Sequence, residues 1–256
     1  MTNTGWTPKE EINPETRGIS SWPSQDIIRY RIKETRRTAD ALELALMELT
    51  KAAEVVTRCA ESTKGRIITI GAGGSGVIAM SIMRELPQNH KDIDPNRFTY
   101  RIAGQEEILT PYGREELEDS WEEGRNDVEK LQVCRDDVII CVSATGRTPY
   151  TRAAARASRA TGAFVIGIVC RSKTELASEV DLPIVLEVGP EMFFGATCEK
   201  AATAQKVALA AIMDAVVVRM GITLDNVCQA REVHEKARIR KQFYEQELAA
   251  SQGRRK

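Results

Sequence analysis

The stretch "ITIGAGGSGVIAMSI", residues 68–82, sets an apolar β-branched run against Gly71-x-Gly73-x-x-Gly76 and a helix-compatible sequence. A strand that turns through glycines into a helix opens a doubly wound α/β sheet, and it is also the phosphate-binding turn of dinucleotide folds. The glycines alone do not separate a bound phosphate from close backbone packing, because both require residues without a Cβ. The neighbouring segments separate them.

Working outward, β-branched runs recur as IITI at 67–70, FTYRIA at 98–103, DVIICVS at 137–143, AFVIGIVC at 163–170 and LPIVLEV at 182–188. Helix-like stretches lie between most of them, and longer ones follow over 199–220 and 225–250. Strands apolar on both faces and separated by helices predict a parallel, doubly wound sheet of the α/β class. Ahead of it, residues 1–23 are polar, carry Pro8, Pro14 and Pro23, and read as an extended arm. Ser24 stands where it would cap a helix starting at Gln25. Leu42, Leu46, Leu49, Ala53 and Val56 then draw one apolar stripe along a long helix ending near Ala60. The pattern divides the chain into an arm with helices (1–60), the sheet unit (61–225) and a C-terminal helix with a basic tail (226–256).

Composition narrows the function. With 256 residues, 42% of them apolar, the chain can build a large core. No run approaches the ~20 apolar residues of a membrane span and the first residues lack a signal peptide's apolar stretch, so a cytoplasmic protein is expected. Cys59, Cys134, Cys141, Cys170, Cys198 and Cys228 are scattered without a C-x-x-C pair, and the histidines are His90 and His234 alone. Neither a zinc site nor a disulfide framework is predicted, and Cys141 and Cys170, inside apolar runs, read as small buried hydrophobes. The segment from Arg231 to Lys256 is basic, but Glu232, Glu235, Glu245 and Glu247 interleave with its cations. A solvated helix face or a partner contact fits that pattern better than nucleic acid.

A dinucleotide fold places an acid about 20 residues beyond its last glycine, at the end of the second strand. Here that strand ends in Ile102-Ala103-Gly104-Gln105, with Glu106 and Glu107 too late, and residues 1–65 precede a motif that usually opens its domain. NAD is therefore disfavoured and no cofactor is expected. The loop after VIICV points elsewhere: Ser143, Thr145 and Thr148 offer hydroxyls at i, i+2 and i+5, on a turn that opens a helix. Hydroxyls and free amides at a helix N-terminus suit a phosphate monoester. A helix cap with spare hydroxyls would use the same residues. A second such loop on an adjacent strand end, with Ser75 at its tip, favours the phosphate site.

These paired loops resemble the sugar isomerase (SIS) domain. "INPETRGISSWPS" at 12–24, "GAGGSG" at 71–76, "EDSWEEGRND" at 118–127, "SATGRTPY" at 143–150 and "VGPEMFFGATCEKAATAQK" at 188–206 resemble, in order, the signatures of the bacterial N-acetylmuramic acid 6-phosphate etherase family. The resemblance implies a five-stranded parallel sheet between helices and a homodimer with its active site near the subunit interface. It also implies a phosphosugar bound without cofactor or metal, and cleavage of its D-lactyl ether by elimination and water addition. The products would be N-acetylglucosamine 6-phosphate and D-lactate. Glu85 of MRELP and Glu118 match the family's acid and base. Gly73, Gly74, Ser75, Ser143, Ala144, Thr145, Gly146, Thr148, Glu191 and Lys200 fall in its substrate- and phosphate-binding segments.

The chemistry agrees with a carboxyl pair. The proton beside an aldehyde is weakly acidic and an alkoxide leaves poorly, so one carboxylate must take the proton while a carboxylic acid protonates the departing oxygen. Departures accompany the matches. Gly74 and Val77 replace a threonine and an arginine common in the first loop. Ala196, Cys198 and Ala202 replace a serine, an arginine and a glycine, and Glu199 stands where an apolar residue is usual. The chain also stops a small helical domain short of typical members. Both glutamates favour an enzyme; the two lost arginines favour a non-catalytic phosphosugar sensor or an enzyme for another ether. Cys198 and Glu199 together predict a weakened hold on the lactyl carboxylate.

Overall fold

The computed structural model describes residues 12–105, 115–196, 199–223 and 235–253. Its centre is a wholly parallel sheet of β1 (Ile67–Gly71), β2 (Phe98–Ile102), β3 (Val138–Ser143), β4 (Phe164–Val169) and β5 (Leu182–Val185), in the order β2-β1-β3-β4-β5. Ile67 lies opposite both Phe98 and Val138, and Gly71 opposite both Ile102 and Val142, so β1 is an interior strand. The chain first grows outward from β1 to β2, then returns past β1 to lay down β3, β4 and β5. That reversal leaves a crevice between the carboxyl ends of β1 and β3, where ligands of doubly wound sheets bind.

Helices cover both faces. Ile67, Ile140, Val142, Ile166 and Ile168 face α2 (Leu46–Glu61), α3 (Gly73–Asn89) and α7 (Lys200–Arg219). Ile68, Ile70, Ile139, Cys141, Val165 and Val169 face α4 (Trp121–Lys130), α5 (Pro149–Ala160) and α6 (Glu175–Glu179). Burial on both sides explains why the strands read as unbroken apolar runs. α8 (Glu235–Gly253) falls within the C-terminal helix expected from the pattern, whose first part lies outside the described residues.

The N-terminal region departs from the single long helix. α1 (Ser24–Leu44) and α2 are separate, divided at Ala45, whose φ of −93° and ψ of 10° leave helical geometry. The break shifts the phase of the stripe: Leu49, Ala52 and Val56 enter the core, whereas Leu44, Leu46 and Met47 stand in solvent. Ser24 is the first residue of α1 rather than its cap, because Pro23, with extended φ/ψ, occupies the capping position. Residues 12–23 before it are folded onto α1. Asn13 accepts the Glu15 N–H at 3.0 Å, setting the 3-10 turn Pro14–Thr16, and donates to the Tyr30 hydroxyl at 2.9 Å. Trp22 packs edge-on against the Tyr30 ring.

α7 revises the expectation that no segment approaches a membrane span. Its 20 residues reach a mean hydropathy of 1.6 over an 18-residue window, long and apolar enough to cross a bilayer by composition. Here the helix lies in the core instead: Ala204, Ala208, Leu209, Ile212, Met213 and Val216 are buried. Cys141 and Cys170 are buried as expected, and burial pushes both thiols up to about 12, leaving them un-ionised packing groups.

Candidate functional site

The first loop turns between β1 and α3. A Cβ on Gly76 would stand 2.6 Å from the Ile102 side chain and 2.9 Å from the Gly71 carbonyl carbon, so this glycine lets α3 approach the β1 and β2 ends. Gly73 has a different role. Its φ is +48°, and a Cβ there would lie 2.5 Å from Glu118 Oε1. The motif thus combines backbone packing with the approach of a carboxylate. Glu118 comes from the 3-10 turn Glu115–Asp119 ahead of α4, half-buried, against the loop that opens α3.

Ser75, in the first turn of α3, is buried, and its Oγ accepts the Ala144 N–H at 3.3 Å. That bond ties the first loop to the second. In the second loop Ser143 Oγ and Thr148 Oγ1 share a hydrogen bond of 3.1 Å, and the Gly146 N–H donates to Ser143 Oγ at 3.1 Å. The Arg147 N–H donates to Thr145 Oγ1 at 3.3 Å. Gly146, with φ of +64°, abuts Thr174, whose hydroxyl caps α6 by accepting the Ala177 N–H. Ala144 is held on both sides, its carbonyl accepting the Cys170 N–H at 3.0 Å. Thr148 caps α5 without a side-chain bond to that helix, and Pro149 supplies its first residue. Ser75, Ser143, Ala144, Thr145, Gly146 and Thr148 therefore form one cluster. It lies at the sheet's switch point, where the starts of two helices favour an anion.

The other sequence-selected residues are placed differently. Gly74 lies half-buried in the first turn of α3. Glu85 is exposed on α3, twelve residues beyond Gly73, which at 1.5 Å per residue is roughly 18 Å along the helix. One copy of the chain therefore sets Glu118 beside the first loop and Glu85 well away from it. Glu191 is buried, and its two carboxylate oxygens accept the N–H groups of Lys200 (3.0 Å) and Ala201 (2.9 Å). It serves as the N-terminal cap of α7. Lys200, equally buried, turns its ammonium to Glu34 of α1, which also meets Arg37 Nε at 3.1 Å.

The charge at Glu199 is answered too, by Arg31 of α1 at 2.7 Å. Cys198, the other residue of the pair expected to weaken the hold on the lactyl carboxylate, lies outside the described residues. Sequence reasoning missed Arg31, Glu34 and Thr174. The first two carried a signal in the run of cations along α1 interrupted by one glutamate; Thr174 carried none.

Across most of its length the chain aligns with enzymes of one kind. It is 33% identical over 219 residues to the N-acetylmuramic acid 6-phosphate etherase of Rubrobacter xylanophilus, covering 85% of this chain and 71% of that one. It is 34% identical over 236 residues to the etherase of Pseudothermotoga lettingae, covering 92% and 78%. The chain belongs to the N-acetylmuramic acid 6-phosphate etherase family. Within the etherase framework, residues 48–159 match the glucokinase regulatory protein N-terminal SIS domain and residues 124–218 the SIS domain. Solved structures agree on the fold. A protein of E. coli CFT073, solved as a complex, superposes with a TM-score of 0.56 at 20% identity, over 80% of this chain and 97% of that one. Phosphoheptose isomerase from Neisseria gonorrhoeae gives 0.56 at 18%, over 76% and 98%.

Proposed function

We propose that this protein is a cytoplasmic carbon–oxygen lyase that cleaves the lactyl ether of N-acetylmuramic acid 6-phosphate by elimination followed by addition of water. The observation that carries the proposal is the Glu118 carboxylate lying against Gly73, beside a cluster of hydroxyls and helix N-termini suited to a phosphate, in a chain of the etherase family.

In this reading Ser75, Ser143, Thr145 and Thr148 exchange their bonds within the loops for bonds to the phosphate oxygens. The amides that open α3 and α5 add their partial positive charge. With the phosphate anchored there, Glu118 takes the proton from the sugar carbon beside the aldehyde, and a carboxylic acid protonates the departing lactyl oxygen. Glu85 is that acid. In this reading it acts at the site of a second copy in a homodimer, which its distance from the first loop within one chain supports. Glu191 and Lys200 act by position: they hold the start of α7 against the site rather than touching substrate. Residues 61–225 then form the phosphosugar unit, flanked by the N-terminal arm and helices of 1–60 and the C-terminal helix and basic tail of 226–256.

The sensor alternative draws on the glucokinase regulatory protein match over 48–159. The etherases match over far more of the chain, and the elimination needs Glu118 where a sensor does not. The experiment is incubation of the purified protein with N-acetylmuramic acid 6-phosphate and mass detection of D-lactate. Release of lactate that survives a chelator is expected. Binding without release supports the sensor.

A further inference from the structure

Between β5 and α7 the chain crosses the carboxyl end of the sheet. Glu191 and Met192 are buried there, and exposure then rises to 49% at Phe193 and 59% at Phe194. Two large rings stand in water at the carboxyl end of the sheet. Exposed apolar surface of this kind marks a contact made with something outside the fold.

The segment carrying them is held in place. Thr16 Oγ1 donates to the Met192 carbonyl at 2.8 Å, and Glu191 grips the first amides of α7. The Ala196 N–H donates to the Phe193 carbonyl at 3.2 Å, closing a four-residue turn. Gly195, third in that turn, has φ of +85°, the conformation that a type II turn requires. Phe194 therefore occupies the corner of a hydrogen-bonded turn and Phe193 its first position.

Contacts lead from Glu191, two residues before this turn, to the hydroxyl cluster. Glu191 binds the Ala201 N–H; the Ala201 carbonyl accepts the Cys170 thiol at 3.6 Å; the Cys170 N–H binds the Ala144 carbonyl; and the Ala144 N–H binds Ser75 Oγ. The turn stands at the rim of the same end of the sheet. The cluster offers only hydroxyls and N–H groups, which answer a phosphate but not the C–H face of a sugar ring. Tyr150, next to the second loop, is fully buried with its hydroxyl bound to Asp127 at 2.7 Å. The Trp121 ring is covered by the guanidinium groups of Arg152 and Arg156 at 5.0 and 5.1 Å. Phe193 and Phe194 are exposed.

We propose that Phe193 and Phe194 form the apolar wall against which the sugar ring of the phosphosugar packs, so that the site selects a cyclic sugar phosphate over phosphate alone. The proposal rests on the phosphosugar reading and adds the part of the substrate that the hydroxyl cluster leaves unrecognised. Burial of an aromatic face against C–H groups follows apolar area, and losing two rings is expected to weaken binding about tenfold or more.

The test is calorimetric titration of the whole chain with N-acetylglucosamine 6-phosphate and with inorganic phosphate, for the wild type, F193A/F194A and F193L/F194L. In the wild type the sugar phosphate should bind more tightly than phosphate. The alanine pair should lose about tenfold or more for the sugar phosphate with phosphate affinity within twofold, and the leucine pair should fall between. Light scattering and the thermal midpoint should stay unchanged. Equal losses for both ligands, or none, overturn the wall. So does a shift of the alanine pair to a smaller assembly, which would make the rings a subunit contact. A wild type that binds phosphate as tightly as the sugar phosphate overturns the wall and leaves the phosphate cluster standing. A wild type that binds neither ends the phosphosugar reading and the wall with it.

Discussion

At the residue scale, the relation between Gly73 and Glu118 decides whether the first loop is chemistry or only packing. A Cβ at position 73 would collide with the carboxylate, and φ of +48° disfavours any side chain there, so Gly73→Ala should displace Glu118 while leaving the hydroxyl cluster intact. Glu118→Gln keeps the shape and removes the base. Each variant is expected to lower kcat by roughly 10²–10⁴-fold, with affinity for N-acetylglucosamine 6-phosphate within a few-fold of wild type. Exchange of the sugar C2 proton with deuterated solvent separates the roles. An E118Q protein that still exchanged at the normal rate would remove Glu118 as the base. Glu199, which stands where an apolar residue is usual in the family, pairs with Arg31, 168 residues earlier.

At the element scale, β1 and β3 are clamped at their amino ends by a buried carboxylate. Asp137 accepts the Arg66 N–H at 2.9 Å and the Cys134 N–H at 3.1 Å, and meets Arg66 Nη2 at 2.6 Å. Burial pushes its carboxyl up, but the bonds from Arg66 and Cys134 outweigh burial and hold it below the ordinary 3.8. The unfolded chain therefore takes up this proton before the folded chain does. The stabilisation is complete above the unfolded value and is lost as the pH falls through 3.8 and below it. Asp137→Asn should cost about 3 kcal/mol, because the guanidinium of Arg66 loses its charge partner, lowering Tm by about 6–12 °C at neutral pH. Scanning calorimetry between pH 3 and 7 should show a gap that narrows toward the acid end; a gap independent of pH would mean that the pair is not what titrates.

The elements were legible where a local pattern decides them. The five strands follow from β-branched runs because both faces are buried, and Ser143 and Thr148 follow from their place at a strand end. The break at Ala45 was not, since the stripe from Leu42 to Val56 continues across it; only packing of α2 against α7 fixes its phase. Glu191 and Lys200 were selected from the sequence as binding residues, but the contacts they make were not legible there, because their partners are the α7 amides and Glu34. Nothing in the local sequence names those partners.

For the whole molecule, the two glutamates raise a question of assembly. Glu118 sits at the first loop and Glu85 is exposed roughly 18 Å along α3, so under the proposed reaction one copy brings half of the acid–base pair to its own site. Apolar surface for a second copy exists: Leu44, Leu46 and Met47 are exposed beside a groove of about 560 Å³ between α2 and α7, lined by Leu49, Ala53, Ile212 and Ala215. A two-fold interface would deliver both copies of Glu85 by the same operation. If Glu85 acts across that interface, E85Q and E118Q homodimers are each nearly inactive, whereas a mixed dimer holds one site with both glutamates intact and one with neither. An equal mixture of the two variants, dissociated and reassembled, should then recover about a quarter of wild-type lactate release, half the dimers being mixed with one working site each. Action within one chain predicts no recovery, since every site lacks one glutamate or the other. Recovery that is absent although light scattering and mass spectrometry show mixed dimers would overturn action of Glu85 across the interface.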